Sequence, residues 1–330
     1  MADLAAPPLQ PAAPLRWYQG VPRYCWIVLA VAALGWMFDT FDQHLFTLVR
    51  VDSVKELLKP YYPDAARLDA AAKEVGTNLT AVFLLGWSAG GFVFGILGDR
   101  LGRTRTMMIT ILIYAAFTGL NGLVQTPLQY GICRFLIAMG VGGEFAAGAS
   151  LVAEVWPERS RPMALGVLQA LSALGNIAAA LTVLVLSSLS WRWIFAVGAL
   201  PALIVVLIRR SLREPERWQH AKAEAEQHVA HRELGDVREM FRDPTLRRHT
   251  IAGVLLGTAG VAGAWGIAFF SPDLVTSAFR PMVTQSAAVL ALPEADRVAA
   301  IAKSLKEYRS LVFLVQMIGA GTGMYVFALA

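Results

Sequence analysis

Gly98-Asp99-Arg100-Leu101-Gly102-Arg103 decides the fold of this chain, because this short charged turn stands between two long apolar segments. The segments on either side, about 82–97 and 106–124, carry no charge and approach the roughly 20 residues that a bilayer-crossing helix needs. Two membrane helices therefore meet at a short basic hinge. Arginine beside a span favours the cytoplasmic side, and glycine lets the backbone reverse with no side chain in the way.

Composition agrees with this reading. At 56% hydrophobic and 16% charged residues, the 330-residue chain is too apolar for an ordinary soluble protein, and most of it is expected in lipid. The net charge of +5 lies in loops between apolar runs rather than on a face interleaved with aromatics, so nucleic acid is not an expected partner. Cys25 and Cys133 sit at or within apolar runs without metal-ligand spacing, and no metal site is expected. A Walker lysine is also missing from the sequence, which argues against an ATP-driven pump, and the lack of His/Cys ligand spacing argues against a metal-dependent membrane enzyme.

Eight spans are expected in an all-α membrane protein: about 25–49, 77–98, 106–125, 128–153, 162–189, 192–211, 248–272 and 308–330. A cytoplasmic amino terminus puts the loops 99–105, 154–161 and 212–247 inside and 50–76 and 273–307 outside. The inner loops hold Arg100, Arg103, Arg105, Arg159 and Arg161, together with a dense set from Arg209 to Arg248. The expected organisation is a tail at 1–23, a six-helix bundle at 24–211, a cytoplasmic linker at 212–247 and the first two helices of a second bundle at 248–330. The second bundle is expected to be incomplete.

Four motifs in order resemble the major facilitator superfamily, and specifically its metabolite, sialate and sugar proton-symporter branches. They are the Gly98–Arg103 turn, the run Arg134-Phe135-Leu136-Ile137-Ala138-Met139-Gly140-Val141-Gly142-Gly143, the set Glu154, Pro157 and Arg161, and the set Glu214, Arg217 and Trp218. Pro162 and Pro215-Glu216 depart from the usual pattern. The resemblance implies a multi-pass transporter in the cell membrane that works by alternating access as a monomer. Its partners would be the lipid bilayer and one small-molecule substrate. No cofactor is implied, with a proton as the coupling ion; a facilitative uniporter and a transporter-like membrane sensor are the alternatives.

The charges at the inner ends, Asp99, Glu154 and Glu214 with Arg100, Arg103, Arg161 and Arg217, are close in depth. They could form a latch of ion pairs each worth under about 1 kcal/mol, or they could be solvated topology signals. Inside the spans an ionisable side chain is costly and therefore a functional candidate. Asp42 and Arg134 lie about 10 and 9 Å below the outer ends of their spans, hence at one level. Phe41-Asp42 resembles the site of the coupling acid in proton-driven sugar porters, and Arg134 falls where they place its partner. A carboxylate's proton affinity rises on desolvation and falls beside a guanidinium, so a pair that loosens can take up and release a proton. The alternative is a static pair holding two helices in register.

Asp39 stands one turn before Asp42 as a second acid or a substrate contact, and Glu144 is a relay acid or a member of the inner network. In the fifth span Gln169, Ser172 and Asn176 share a helix face as candidate substrate contacts. Gln169 with Gly175 resembles the sugar-porter spacing. Interhelical hydrogen bonding is the competing role for these polar groups. Trp265 and Gln316 are the second bundle's candidates. Two substrate classes remain open. Gly142-Gly143-Glu144-Phe145, the acid-rich first span and Trp191-Arg192-Trp193 favour carboxylates, whereas Gln169 and the loop motifs favour sugars.

Overall fold

A computed structural model describes residues 16–186, 189–199, 213–226, 235 and 241–329. Among these residues there are helices and no strand. In chain order they are α1 (Arg23–Leu58), α2 (Ala65–Leu101), α3 (Arg103–Asn121), α4 (Pro127–Val155), a short 3₁₀ turn (Glu158–Ser160) and α5 (Arg161–Val185). After these come α6 (191–199), α7 (Glu216–Glu226), α8 (Pro244–Thr284), α9 (Ala287–Leu290) and α10 (Glu294–Leu329). The remainder of the sixth expected span and most of the expected linker lie outside the described residues.

Local chemistry fixes several helix starts. Asp64 caps α2, Thr126 and Gln129 form a reciprocal capping box ahead of α4, and Asp243 accepts from the first backbone N–H groups of α8. Pro162 is accommodated because it falls in the first turn of α5, where an N–H would have no helical acceptor. α1 is the central element. Its residues from Asp39 to Arg50 are all buried, as expected of a helix surrounded by others rather than one with a solvent face. α1 packs on α5, α2 and α3 pack on α4, and α10 crosses to α5.

Close packing depends on glycine. A Cβ on Gly90 would lie 2.1 Å from the Met139 carbonyl, and one on Gly142 would lie 2.1 Å from the Trp87 carbonyl, so α2 and α4 touch backbone to backbone. Among the described residues, four helices are long and apolar enough by themselves to cross a bilayer, namely α1, α2, α4 and α5 extended by its 3₁₀ turn. α3 is less apolar, but its threonines Thr104, Thr106, Thr110 and Thr118 are all buried against protein.

The expected outer loops need correction. Most of 50–76 is helical, because α1 continues to Leu58 and α2 begins at Ala65. Much of 273–307 is helical as well, since α8 reaches Thr284 and α10 starts at Glu294. These extensions are polar in sequence but helical in backbone, so hydropathy ended the spans too early. The inner hinge is shorter than expected for the same reason, and only Gly102 separates α2 from α3.

Candidate functional site

Asp42 and Arg134 meet in the middle of the first bundle, as their depths implied. Arg134 donates through Nη1 to Asp42 Oδ2 at 3.3 Å, and Thr118 donates to Asp42 Oδ1 at 3.1 Å. Both charged side chains are at most 2% exposed. The guanidinium lies 4.0 Å from the Phe46 ring centre and 4.5 Å from that of Phe83, an arrangement that attracts a desolvated cation. Arg134 Nε makes no hydrogen bond to the described residues. Three helices thus converge on one carboxylate: α1 supplies it, α4 the cation and α3 the hydroxyl.

Asp39 and Glu144 are also buried, on α1 and α4. His44 sits nearby, with Nδ1 2.9 Å from the Thr40 carbonyl and its ring 4.7 Å from Phe313 of α10. α1 therefore touches the second half of the chain through His44.

Toward the amino-terminal end lies a cavity of about 610 Å³ among α1, α2, α4 and α5. Trp36, Trp87, Phe92 and Phe145 provide aromatic walls, and Gln169 and Ser88 the polar groups. The rings are in contact, with Trp36 4.4 Å from Phe145 and 6.1 Å from Trp87 between centres. Of the three candidate contacts on α5, Gln169 faces this cavity. Ser172 instead donates to the Gln169 carbonyl of its own helix at 2.6 Å, and Asn176 donates to Met317 Sδ of α10 at 3.0 Å. The shared face exists, but the structure divides its groups between cavity and helix packing. Gln316 accepts from Ser271 at 3.0 Å and so links α10 to α8. The side chains of Trp265 and Arg217 lie outside the described residues.

At the amino-terminal end Arg103 binds Asp99 at 2.7 Å and Glu154 at 3.0 Å, joining α2, α3 and α4. Glu214 accepts from the Thr104 and Arg105 backbone N–H groups at 3.2 and 3.1 Å, so a carboxylate from a distant segment caps α3. Trp218 donates to the Asp99 carbonyl at 2.7 Å. Gly98 packs under the Arg103 guanidinium, and Arg100 lies beside Gly235. The expected latch is corrected in two respects. Its described bonds hold one bundle and the linker together rather than closing one half on the other, and Arg161 Nε and Nη2 make no hydrogen bond to the described residues.

The pairs between halves are at the opposite end, where none was expected. Arg50 of α1 binds Asp273 of α8, and Arg309 of α10 lies 3.6 Å from Asp52 of α1. The sequence signal was present, since these charges lie at the ends of apolar spans, but the assignment of 50–76 and 273–307 to loops concealed Arg50, Asp52 and Asp273. Arg192, within Trp191-Arg192-Trp193, donates to the Gly122 and Val124 carbonyls at 3.0 and 2.7 Å, and Trp191 donates to Glu56 at 2.7 Å. That motif closes the end of α3 and lies far from the cavity.

Known proteins give the same architecture. The chain is 31% identical over 270 residues to a putative metabolite transport protein of Haemophilus influenzae, covering 81% of this chain and 63% of the relative. It is 32% identical over 203 residues to the sialic acid transporter NanX of Escherichia coli, covering 61% of this chain and 47% of that one. The chain thus spans about half to two thirds of the length of these relatives. The xylose transporter XylE of Escherichia coli, in a partially occluded inward-open conformation, superposes with a TM-score of 0.59 at 15% identity, over 92% of this chain and 89% of that one, which bears on the fold alone. The sequence profile of the Major Facilitator Superfamily matches residues 25–330, and so this multi-pass membrane chain belongs to that superfamily of small-molecule transporters, which are not enzymes.

Proposed function

We propose that the protein is a proton-coupled symporter for a small organic acid, with its amino terminus in the cytoplasm and Asp42 as the coupling group. The observation that carries this reading is the desolvated Asp42 carboxylate, held by Arg134 and Thr118 at the meeting point of three helices. An ion pair removed from water is stable only while its geometry is good. A rocking movement that separates α1 from α4 would therefore make protonation of Asp42 favourable, and return of the pair would expel the proton. Asp39 and Glu144, buried on the same two helices, are the candidates for relaying it.

The substrate is assigned to the aromatic cavity, with Gln169 as its polar contact. Rings suit an apolar or unsaturated body, and an amide N–H suits a carboxylate oxygen. The relative that transports sialic acid, a carboxylic acid, supports the same class. Within the cavity the sugar reading has only Gln169 and Ser88 as hydrogen-bonding side chains.

Uptake by the full-length protein in proteoliposomes under an imposed pH gradient tests both parts, with a panel of carboxylates and sugars and the variant Asp42→Asn. Accumulation of one or more carboxylates, lost in Asp42→Asn while exchange without a gradient survives, is the expected result. Accumulation that Asp42→Asn retains removes Asp42 from the coupling role. Selective uptake of sugars replaces the organic-acid assignment.

A further inference from the structure

We propose that the end of the bundle opposite the amino terminus carries an entry site for small carboxylates at Arg50, and that a carboxylate bound there opens this end by replacing Asp273. The proposal rests on the organic-acid reading above and adds to it a second binding site, distant from the aromatic cavity.

Arg50 is seated with care. It donates through Nη1 to Thr80 of α2 at 2.7 Å, its Nη2 binds Asp273 of α8, and the Phe270 ring centre lies 5.7 Å from the guanidinium. Gly76 lets α2 approach the aliphatic stem, since a Cβ there would lie 3.3 Å from Arg50 Cγ. The two partners differ sharply in solvation, the Arg50 side chain being 2% exposed and that of Asp273 42%. Asp273 can leave for water at small cost. Arg50 cannot, because a buried guanidinium stripped of its acceptor keeps its full desolvation penalty. Separation of α1 from α8 is therefore unfavourable unless another anion takes over Arg50.

The surroundings provide a route for that anion. A cavity of about 360 Å³ beside the pair is lined by Arg50, Lys55, Lys73, Arg280 and Arg309, against the carboxylates Asp69 and Asp273. Asp69 is already bound to Lys55 at 2.7 Å. A positive recess raises the local concentration of anions and leads them to the buried cation. A carboxylate that takes the place of Asp273 keeps Arg50 paired while α8 is released. The gate would then open to substrate and resist opening in its absence, which limits leakage.

Spin labels at the exposed positions Tyr62 and Gln285, on the full-length protein in nanodiscs, report the separation of the two halves at this end. Benzoate is the probe, with chloride at equal ionic strength as the control. The expected result is a severalfold rise in the long-distance population on adding benzoate, and a similar rise without it in Asp273→Asn. In Arg50→Gln the distribution should be open and insensitive to benzoate. If benzoate leaves the wild-type distances unchanged, or acts equally in Arg50→Gln, the entry site is overturned; gradient-driven carboxylate uptake persisting alongside leaves the symport reading intact. Distances in Asp273→Asn that match the wild type overturn the gate.

Discussion

Gly102 shows how one residue fixes the hinge that identifies the fold. Its φ of 107° lies in a region that residues with a Cβ avoid, and a Cβ there would come within 2.5 Å of Glu214 Oε1. The two constraints have a common origin. The chain must reverse within one residue for α3 to begin, and the free N–H groups this exposes at Thr104 and Arg105 are what Glu214 accepts from. Gly102→Ala is therefore expected to cost about 1–3 kcal/mol through backbone strain and displacement of the cap. Glu214→Gln, which keeps an acceptor but loses the charge facing the helix N-terminus, should cost about 0.3–1 kcal/mol. Thermal unfolding in detergent should rank the two in that order. An unchanged midpoint for Gly102→Ala would show that the hinge tolerates a side chain.

At the scale of elements, the α2–α4 crossing determines where the site can be. Gly86, Gly90 and Gly142 bring the two backbones together, and that approach sets Phe83 of α2 against Arg134 of α4. A Cβ on Gly90 or Gly142 meets a carbonyl at 2.1 Å, whereas one on Gly131 of α4 meets Leu79 Cδ2 at an ordinary 3.5 Å. Gly90→Ala and Gly142→Ala should each lower stability by about 1–3 kcal/mol, because packed backbones cannot yield to an added methyl group. Gly131→Ala should be neutral or gain up to about 1 kcal/mol from better helix propensity. Melting of the three purified variants checks this, and equal behaviour would mean that the crossing is not rigid. On the proposed symport, proton-coupled uptake should fall with stability in the first two, since moving α4 also moves Arg134 relative to Asp42.

For the whole molecule, what the sequence disclosed was limited by distance along the chain. The Asp42–Arg134 pair was legible because counting residues from each span's end places both at one depth, and few other charges occur at that depth. Thr118 gave no such signal, since a threonine in an apolar helix is compatible with packing alone. The Arg50–Asp273 and Asp52–Arg309 pairs join opposite halves, and Arg50, Asp52 and Asp273 lie where hydropathy had already assigned a loop. Ser172 and Asn176 share a face as expected, but which of the two roles left open each fills was not legible, because helical periodicity says which residues share a face and not what that face meets. Taken together, the ion pairs between halves lie at the end away from the amino terminus, and the aromatic cavity lies on the amino-terminal side of Asp42. Among the described residues the halves are thus paired at one end, and the aromatic cavity lies nearer the other. A cysteine at Ser88, an exposed position on the cavity wall, should therefore react with an impermeant maleimide in inside-out vesicles severalfold faster than in right-side-out vesicles. The background would be Cys25→Ser and Cys133→Ser, both buried in the native chain. Asp273→Asn, by weakening the closure, should narrow the difference between the two orientations. Faster labelling from the extracellular face would show that the resting protein opens the other way, with Arg50 and Asp273 apart.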